Sequence, residues 1–413
     1  LDRHEAALAG QRAELSHTLH AGPAQDMAMA HMALAHLLSA DIDPAIADAR
    51  VPACPRSAAA PGRARRMAAV FVSLGLLCAH AGAIAQSGAC PEPFPLRFSG
   101  TLNLRVDNDM FGGLGQDQGY SNGFLVSWVS PNLVDYVGDP CLPRIVRRLN
   151  RYLALLQPGG LDEQNMTIGF GQMMYTPADR TRSDLIVDDR PFVGALMLSL
   201  GYNARRGDTL RTSQLRLGMV GPSARARQVQ SWWHGVIGVD RFHGWEHQLR
   251  DEPVVQLLHE RRKRIVRHEG DDGWGWDITR HWGASLGNFA TYANVGGGWS
   301  FGIRLPDDFG TAPLRPAGEN TSPVHAVGDG NWTGHLFVAV DARWVLHDIT
   351  LDGNTFKPGH SVDKRPLVAD IGYGIAVYHG KWRFALARYH RTREFLGQRE
   401  VPVYGSFTIG RRF

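Results

Sequence analysis

The chain has 413 residues, with 44 Lys and Arg against 40 Asp and Glu, so its net charge is only +4. Such a small excess gives no reason to expect a nucleic-acid partner. Its mean hydropathy of -0.22 excludes a protein built mainly of membrane helices. It does not exclude a membrane β-barrel, whose strands alternate apolar and polar side chains and average near zero.

Residues 1–66 are rich in alanine and have a helical pattern. The segment from Glu14 to Met27 resembles the phosphoacceptor helix of one histidine-kinase subfamily, with His20 at the acceptor position. Ala21 replaces the acidic residue that usually follows, and no ATP-binding domain comes after it. We therefore expect residues 1–66 to be a non-native or fused N-terminal extension with no part in the function.

A signal peptide is predicted over residues 67–85. Basic residues up to Arg66 precede an apolar run that ends in Ala83-Ile84-Ala85, the small-x-small pattern cut by signal peptidase. A membrane anchor is the alternative, but the run is short and His80 interrupts it. Residues 86–96 would then form a short mature N-terminal segment.

Two cysteines, Cys90 and Cys141, would remain in the mature chain. They can pair in an oxidising compartment, and the sequence leaves this open. No CxxC spacing occurs, so a zinc or redox site has no support.

From about residue 97 to residue 413 the dominant signal is strict alternation of apolar and polar residues. Leu367, Ile371 and Val377, for example, lie on odd positions, with Asp370 between them. We predict an all-β fold, a closed antiparallel transmembrane barrel of about 12 strands with short helices in its connections. The predicted strands are 97–107, 119–129, 165–175, 192–203, 211–220, 254–265, 274–286, 289–303, 333–346, 366–378, 381–392 and 402–413.

The length of the segments, about ten residues, and the aromatic residues near their ends favour a membrane barrel over a soluble sandwich. The last segment, 403–413, alternates and ends in Phe413, which resembles the assembly signal of outer-membrane barrels. We therefore expect the barrel assembly machinery as a partner and the outer membrane of a Gram-negative bacterium as the location.

With both ends of the barrel periplasmic, the connections after odd strands face outward. Two inward connections are unusually long. Residues 130–164 contain a helical spacing from Arg144 to Leu156, predicted to lie on the barrel end. Residues 304–332 indicate either an error in the strand count or an extra folded element.

The outward connections carry polar clusters with alternative interpretations. Asn108 and Asp109 face Ser121 across the first hairpin, and their oxygen atoms suit calcium as well as an acidic turn. By strand parity Asn108 falls on the face opposite Asp107 and Asp109, unless the strand has ended or bulged.

A short helix predicted from Ala224 to Gly235 places Gln230 and His234 on one face, and Asp240 follows six residues later. A histidine beside an acid can act as a general base, although a lone histidine is more often structural.

Two further clusters lie on the outward connections. Arg180, Arg182 and Arg190 can hold phosphate groups or belong to a solvated charged loop. The segment Asp352-Gly353-Asn354-Thr355-Phe356 is by itself a turn signature.

Eight short motifs occur in an order that resembles the lipid A 3′-O-deacylase (LpxR) family, over residues 97–413. They are Asn108-Asp109, Tyr120-Ser121-Asn122-Gly123, Gly171-Gln172 with Tyr175-Thr176-Pro177, Arg190-Pro191-Phe192, Val220-Gly221-Pro222, Gln230 with His234, Gly244-Trp245, and Asp352 to Phe356. The resemblance implies a twelve-stranded outer-membrane barrel that depends on calcium and hydrolyses the ester of the 3′ acyloxyacyl chain of lipid A.

The resemblance also implies roles for individual residues. His234 would be the base that activates water, and Asn108 and Asp109 would help to hold Ca²⁺. Gln230 matches a glutamine one turn before the histidine, and Asp240 a carboxylate that orients it. Ser121 stands where the family has threonine, so its role is open. Arg180, Arg182 and Arg190 would grip the glucosamine phosphates of lipopolysaccharide.

Two alternatives remain at the level of the sequence. The barrel can be a phospholipase-type esterase with Ser121 as nucleophile and His234 as base. It can also be a pore or structural barrel without catalysis.

Overall fold

The structure, a computed structural model, describes residues 100–109, 119–133, 160–238, 240–309 and 332–413. The predicted N-terminal extension, signal peptide, 86–96 segment, Cys90–Cys141 pair and helix at 144–156 lie outside these ranges. No helix within the described ranges is long and apolar enough to span a membrane.

Twelve antiparallel strands form the described part of the chain, and each pairs with its neighbours in sequence. They are β1 (Thr101–Asn108), β2 (Gly119–Val129), β3 (Glu163–Thr176), β4 (Val193–Arg206), β5 (Thr209–Val220), β6 (Glu252–Glu269), β7 (Trp274–Gly287), β8 (Ala290–Ile303), β9 (Trp332–Asp348), β10 (Leu367–His379), β11 (Trp382–Arg391) and β12 (Val403–Arg412).

The sheet closes because β1 pairs with β12 as well as with β2. The closing register sets Thr101 opposite Arg412 and Asn108 opposite Gly405. Closure leaves no strand edge unpaired, which is the condition for a sheet to cross lipid. The predicted closed barrel and its strand count are confirmed.

The wall has apolar side chains outside and polar side chains inside. On β10, Leu367, Ile371 and Ile375 are exposed, whereas Asp370 between them is buried. This inverts the pattern of a soluble protein and is the pattern of a barrel wall that faces hydrocarbon.

Buried charges bridge the strands inside the barrel. The Asp370 carboxylate accepts hydrogen bonds from Arg391 Nε at 2.7 Å and from Arg343. Arg391 also donates to Glu394 at 2.9 Å, and Glu394 accepts from Arg190 at 2.9 Å. Charges removed from water are tolerated only when they are paired in this way, so the network ties β9, β10 and β11 to the connections around them.

The long connection after β8 begins by folding into the barrel. Phe309 is buried under the guanidinium groups of Arg264 and Arg205, 4.6 and 5.2 Å from its ring centroid. Asp307 lies 2.5 Å from Arg264 and also pairs with Arg205. Both arginines point inward, so the described first residues of this connection, up to Phe309, pack against the inside of the wall.

We define the loop end of the barrel as the end that carries the connections after odd-numbered strands. Helix α1 (Ala226–Ile237) and helix α2 (Ile349–Asp352) both lie in these connections, as do the 3-10 helices Pro222–Ala224 and Trp245–His247. The prediction of short helices in the connections is confirmed.

Replacing Asp370 with Asn should lower the free energy of unfolding by about 3–5 kcal/mol, because two guanidinium groups would lose a buried counter-charge. Urea unfolding of the barrel in lipid vesicles measures this. Asp271→Asn, in the exposed turn between β6 and β7, is the matched control and should change little. Equal midpoints for the two variants would contradict a structural role of the network.

Candidate active site

Helix α1 contains two of the residues singled out by sequence, Gln230 and His234. It follows the 3-10 helix Pro222–Ala224 after a corner at Arg225, whose φ of 58° is left-handed. It ends at Gly238, whose φ of 73° allows its N–H to donate to His234 O. Gly238 therefore ends the helix, and His234 lies in its last turn.

Helix α1 packs on the outer face of the wall. A Cβ atom added to Gly194 of β4 would lie 2.4 Å from Ala226 Cβ. On the outward face of β3, Ile168 and Phe170 are each 43% exposed, but Met174, further toward the loop end, is 0% exposed. The helix and the turn before it cover this part of the wall, so residues on the outward face are buried there.

Two polar contacts and an apolar cluster hold this packing. Gln172 Nε2, on the outward face of β3, donates to Ala224 O at 2.5 Å. Ser223 donates through its N–H and its hydroxyl to Asp251, at 2.8 and 2.7 Å. The apolar cluster beneath the helix consists of Met174, Phe192, Ala226, Phe242 and Trp245.

A β-bulge turns Ser121 toward helix α1. The register between β2 and β3 shifts between Tyr120 and Asn122, which leaves Ser121 as the extra residue. Tyr120 consequently faces the lumen, where its hydroxyl donates to Asp107 at 2.9 Å. Ser121 is buried on the other side of the wall, and its hydroxyl donates to Met174 O at 3.4 Å.

Asn108 lies beside Ser121 at the end of β1. Its Nδ2 donates to Ser121 O at 3.3 Å, whereas Asp107 faces inward and pairs with Arg105 at 2.6 Å. The sequence predicted that Asn108 lies on the face opposite Asp107. The structure has this arrangement, because the site is on the outer face of the wall. Asp109, the next residue, is buried, including both of its carboxylate oxygens.

Gln230 joins helix α1 to this group. Its Nε2 lies 3.5 Å from Ser121 Oγ, and its Oε1 accepts a hydrogen bond from Trp245 Nε1 at 2.7 Å. The structure thus brings Asn108, Ser121 and Gln230 into one chain of contacts. Sequence reasoning named Trp245 only as part of a motif and assigned it no role.

His234 lies one helical turn beyond Gln230 and is buried. Its Nδ1 lies 2.7 Å from Asp240 O, and its ring centroid lies 5.8 Å from that of Phe242. The expectation for Asp240 was that its carboxylate orients the histidine. The structure instead makes the contact through the main-chain carbonyl, and the residue itself is exposed. A carbonyl can only accept, so Nδ1 carries the proton and the lone pair of the neutral ring is on Nε2.

The three arginines expected to bind phosphate occupy different surroundings. Arg190 is buried, paired with Glu394, and stacked over Tyr175 at 5.3 Å. Arg182 is exposed and pairs with Asp184. Both line a cavity of about 150 Å³ together with Arg399.

Arg180 contributes its main-chain carbonyl, which accepts from His243 N at 3.1 Å. The pairing of Arg190 favours a structural role for that residue. The predicted phosphate contacts of all three arginines remain predictions.

The segment from Asp352 to Phe356 fastens the connection that carries α1. Asn354 exchanges two hydrogen bonds with the main chain of Arg250, both at 2.9 Å. Burial raises the pKa of the Asp352 carboxyl. Hydrogen bonds from His347 and Lys364 outweigh this effect and lower the pKa to about 2. The motif therefore has a structural explanation.

The site, on the outer wall of a closed twelve-stranded barrel, defines a class: a membrane barrel with a buried polar cluster between its outer wall and a helix packed on it. The family model "Outer membrane protein LpxR" matches residues 70–413. The chain belongs to this family, and the protein is an outer-membrane protein of a Gram-negative bacterium.

Among solved structures, LpxR from Salmonella typhimurium superposes with a TM-score of 0.59 at 18% identity, covering 76% of this chain and 100% of that one. The β-domain of the Bordetella autotransporter BrkA superposes with a TM-score of 0.37 at 11% identity, covering 76% and 99%. The first similarity supports the fold. No curated protein sequence matches the chain.

Replacing Gly194 with Val should displace α1 from the wall, because the added carbons meet Ala226. The distance between spin labels on α1 and β4 should lengthen, and the yield of an engineered disulfide between them should fall, while the barrel remains folded. Gly235→Ala is the control, since a Cβ at Gly235 meets only the end of the Arg241 side chain at 3.7 Å. An unchanged distance in Gly194→Val would contradict this packing.

Proposed function

We propose that the protein hydrolyses the ester that holds the 3′ acyloxyacyl chain of lipid A in lipopolysaccharide. Family membership supports this class of substrate. The observation that carries the proposal is the position of Gln230 and His234, one turn apart on a helix against the outer face of the wall. Gln230 contacts Ser121, which in turn contacts Asn108. A lipid in the surrounding leaflet reaches such a site without entering the lumen.

The surface around the site suits acyl chains. Trp232 and Val236 on α1 are 65% and 61% exposed. Ile168 and Phe170 lie below the helix on the same outer wall. An ester held at this level has its sugar among polar residues and its chains along apolar ones. Lipid A occupies the outer leaflet, so the loop end would face the cell exterior.

His234 is the proposed general base. Because Nδ1 faces the Asp240 carbonyl, Nε2 of the neutral ring can take a proton from water as the water oxygen attacks the ester carbon. The contact with Phe242 and the burial of the ring limit its rotation. The proton then passes to the leaving alkoxide of the sugar.

Attack on the ester places negative charge on the carbonyl oxygen. The Nε2 amide of Gln230 and the side chain of Asn108 are N–H donors on the wall side of the pocket. Donors held in place before the reaction stabilise such charge without reorganisation. Ser121 supplies a hydroxyl between them.

Calcium is the proposed cofactor, with Asn108 and Asp109 as ligands. The fit rests on donor chemistry: the buried carboxylate of Asp109 and the side-chain amide of Asn108, adjacent in sequence, offer the hard oxygen ligands that Ca²⁺ takes. Within the described ranges no group of three His, Cys, Asp or Glu side chains is arranged to hold a metal. Bound calcium would act as a Lewis acid toward the ester carbonyl.

The phospholipase-type alternative, with Ser121 as nucleophile, is less well supported. Its hydroxyl donates to Met174 O, a main-chain carbonyl that cannot accept the proton in a reaction. An activated serine instead donates to a base.

The pore alternative conflicts with the occupied lumen. Buried Tyr389 and Tyr404 stack at 4.8 Å near the loop end, the Asp370 network lies next to them, and Phe309 packs at the opposite end. These described side chains lie inside the lumen toward both ends, which argues against a wide water-filled passage.

Replacing His234 with Ala should reduce deacylation at least about 10²–10⁴-fold, because the base is lost. Mass spectrometry of lipid A from cells that express the variant measures it. Exposed His243, on the same connection, gives the control His243→Ala. Ser121→Ala should retain measurable turnover, whereas its complete inactivity together with labelling of Ser121 by a serine-directed inhibitor would favour the covalent mechanism.

Chelation by EGTA should abolish activity, and Ca²⁺ should restore it while Mg²⁺ should not, because magnesium demands tighter octahedral geometry. Asp109→Asn should also remove the calcium-dependent rise in melting temperature, with Asp271→Asn as the control. Full restoration by Mg²⁺ alone would argue against this site.

A further inference from the structure

The oxygen end of the Gln230 amide is held by a partner that can only donate a hydrogen bond. Trp245 Nε1 donates to Gln230 Oε1 at 2.7 Å, and both side chains are buried. The opposite end of the amide, Nε2, faces Ser121 Oγ at 3.5 Å. Gln230 therefore bridges the apolar cluster beneath α1 and the pocket.

The polarity of this bridge follows from chemistry. An indole N–H is a donor and never an acceptor, whereas an amide offers an oxygen at one end and an NH₂ group at the other. The oxygen must therefore face Trp245, and the NH₂ group must face the pocket. In the flipped amide a lone pair would face the pocket and an N–H would oppose the indole N–H.

Trp245 is itself fixed in place. Its ring centroid lies 5.1 Å from that of Phe192 within the buried cluster. It opens the 3-10 helix Trp245–His247, and a Cβ at the preceding Gly244 would lie 2.7 Å from the Phe192 ring. The glycine lets the main chain pass close to Phe192, which sets the direction of the indole.

The geometry points to Trp245 as a positioning residue for the reaction. It fixes the orientation of the Gln230 amide, so that an N–H donor faces the ester carbonyl oxygen as negative charge develops there. This inference rests on the proposed function for its effect on catalysis. The hydrogen bond itself does not depend on that function.

Trp245→Phe removes the indole N–H and retains an aromatic ring in the cluster. We expect kcat for lipid A deacylation to fall about 10-fold or more with KM little changed, because the donor acts in the transition state. Trp128→Phe is the matched control: Trp128 lies on β2 at the end of the barrel away from the loop end, and its indole N–H makes no hydrogen bond among the described residues.

A double-mutant cycle separates positioning from loss of structure. In a Gln230→Ala background, Trp245→Phe should cost little further activity, since no amide remains to be oriented. An equal loss in both backgrounds would overturn the inference. Heat-modifiable migration on gels checks that each variant is a folded barrel.

A spectroscopic measurement keeps this inference separate from the proposed function. In protein labelled with ¹⁵N-tryptophan, the indole resonance that Trp245→Phe removes belongs to Trp245. Gln230→Ala should shift that resonance upfield as the hydrogen bond is lost, whereas Ser121→Ala should not. An unmoved resonance would refute the orientation by Trp245, even if deacylation is found. If the shift occurs but the wild-type protein does not deacylate lipid A, the proposed function fails and the contact stands.

Discussion

The close approach of helix α1 to the barrel wall is the contact on which the site depends. Gly194 carries no side chain at the point where Ala226 approaches, and Ala224 lies next to it. Any larger residue in this contact would move the helix outward. Gln230 and His234 reach the wall only because the small residues let the helix lie flat on it.

The same wall presents two environments to residues that are neighbours in sequence. Asp107 and Tyr120 belong to the charged interior, while Asn108 and Ser121 belong to the outer pocket. The alternation of β1 separates Asp107 from Asn108, and the bulge in β2 separates Tyr120 from Ser121. Closure of the sheet and the buried ion pairs make the wall rigid, so the site on its outer face has a rigid support.

The strands could be predicted to within a few residues because alternation is imposed by lipid on one side and a polar interior on the other. β6 was predicted to end at 265 and ends at Glu269. Its basic run from Arg261 to Arg267 places charges on both faces, which conceals the alternation. Where the two environments differ in polarity, the alternation of apolar and polar residues is enough to predict the strands.

The arrangement of the site was harder to predict from the sequence. His234 and Gln230 could be grouped by their helical spacing, and Asn108 by the family motif. The contact of His234 with the Asp240 carbonyl could not be foreseen, because every residue has a carbonyl. The burial of Arg190 depends on Glu394, about two hundred residues away. Such pairings arise from the closed sheet and leave no local signal.

For the proposed hydrolysis, the position of the site also changes what catalysis would require of the protein. A hydrolase with its site in the lumen must draw a lipid out of the bilayer and lose the burial of each methylene, about 0.8 kcal/mol apiece. A site on the outer wall leaves the chains in the leaflet and needs only the ester to reach the helix. Binding energy is then available for orienting the ester against His234 and Gln230. An interior that the substrate does not enter is also free to hold the buried charges that stiffen the wall.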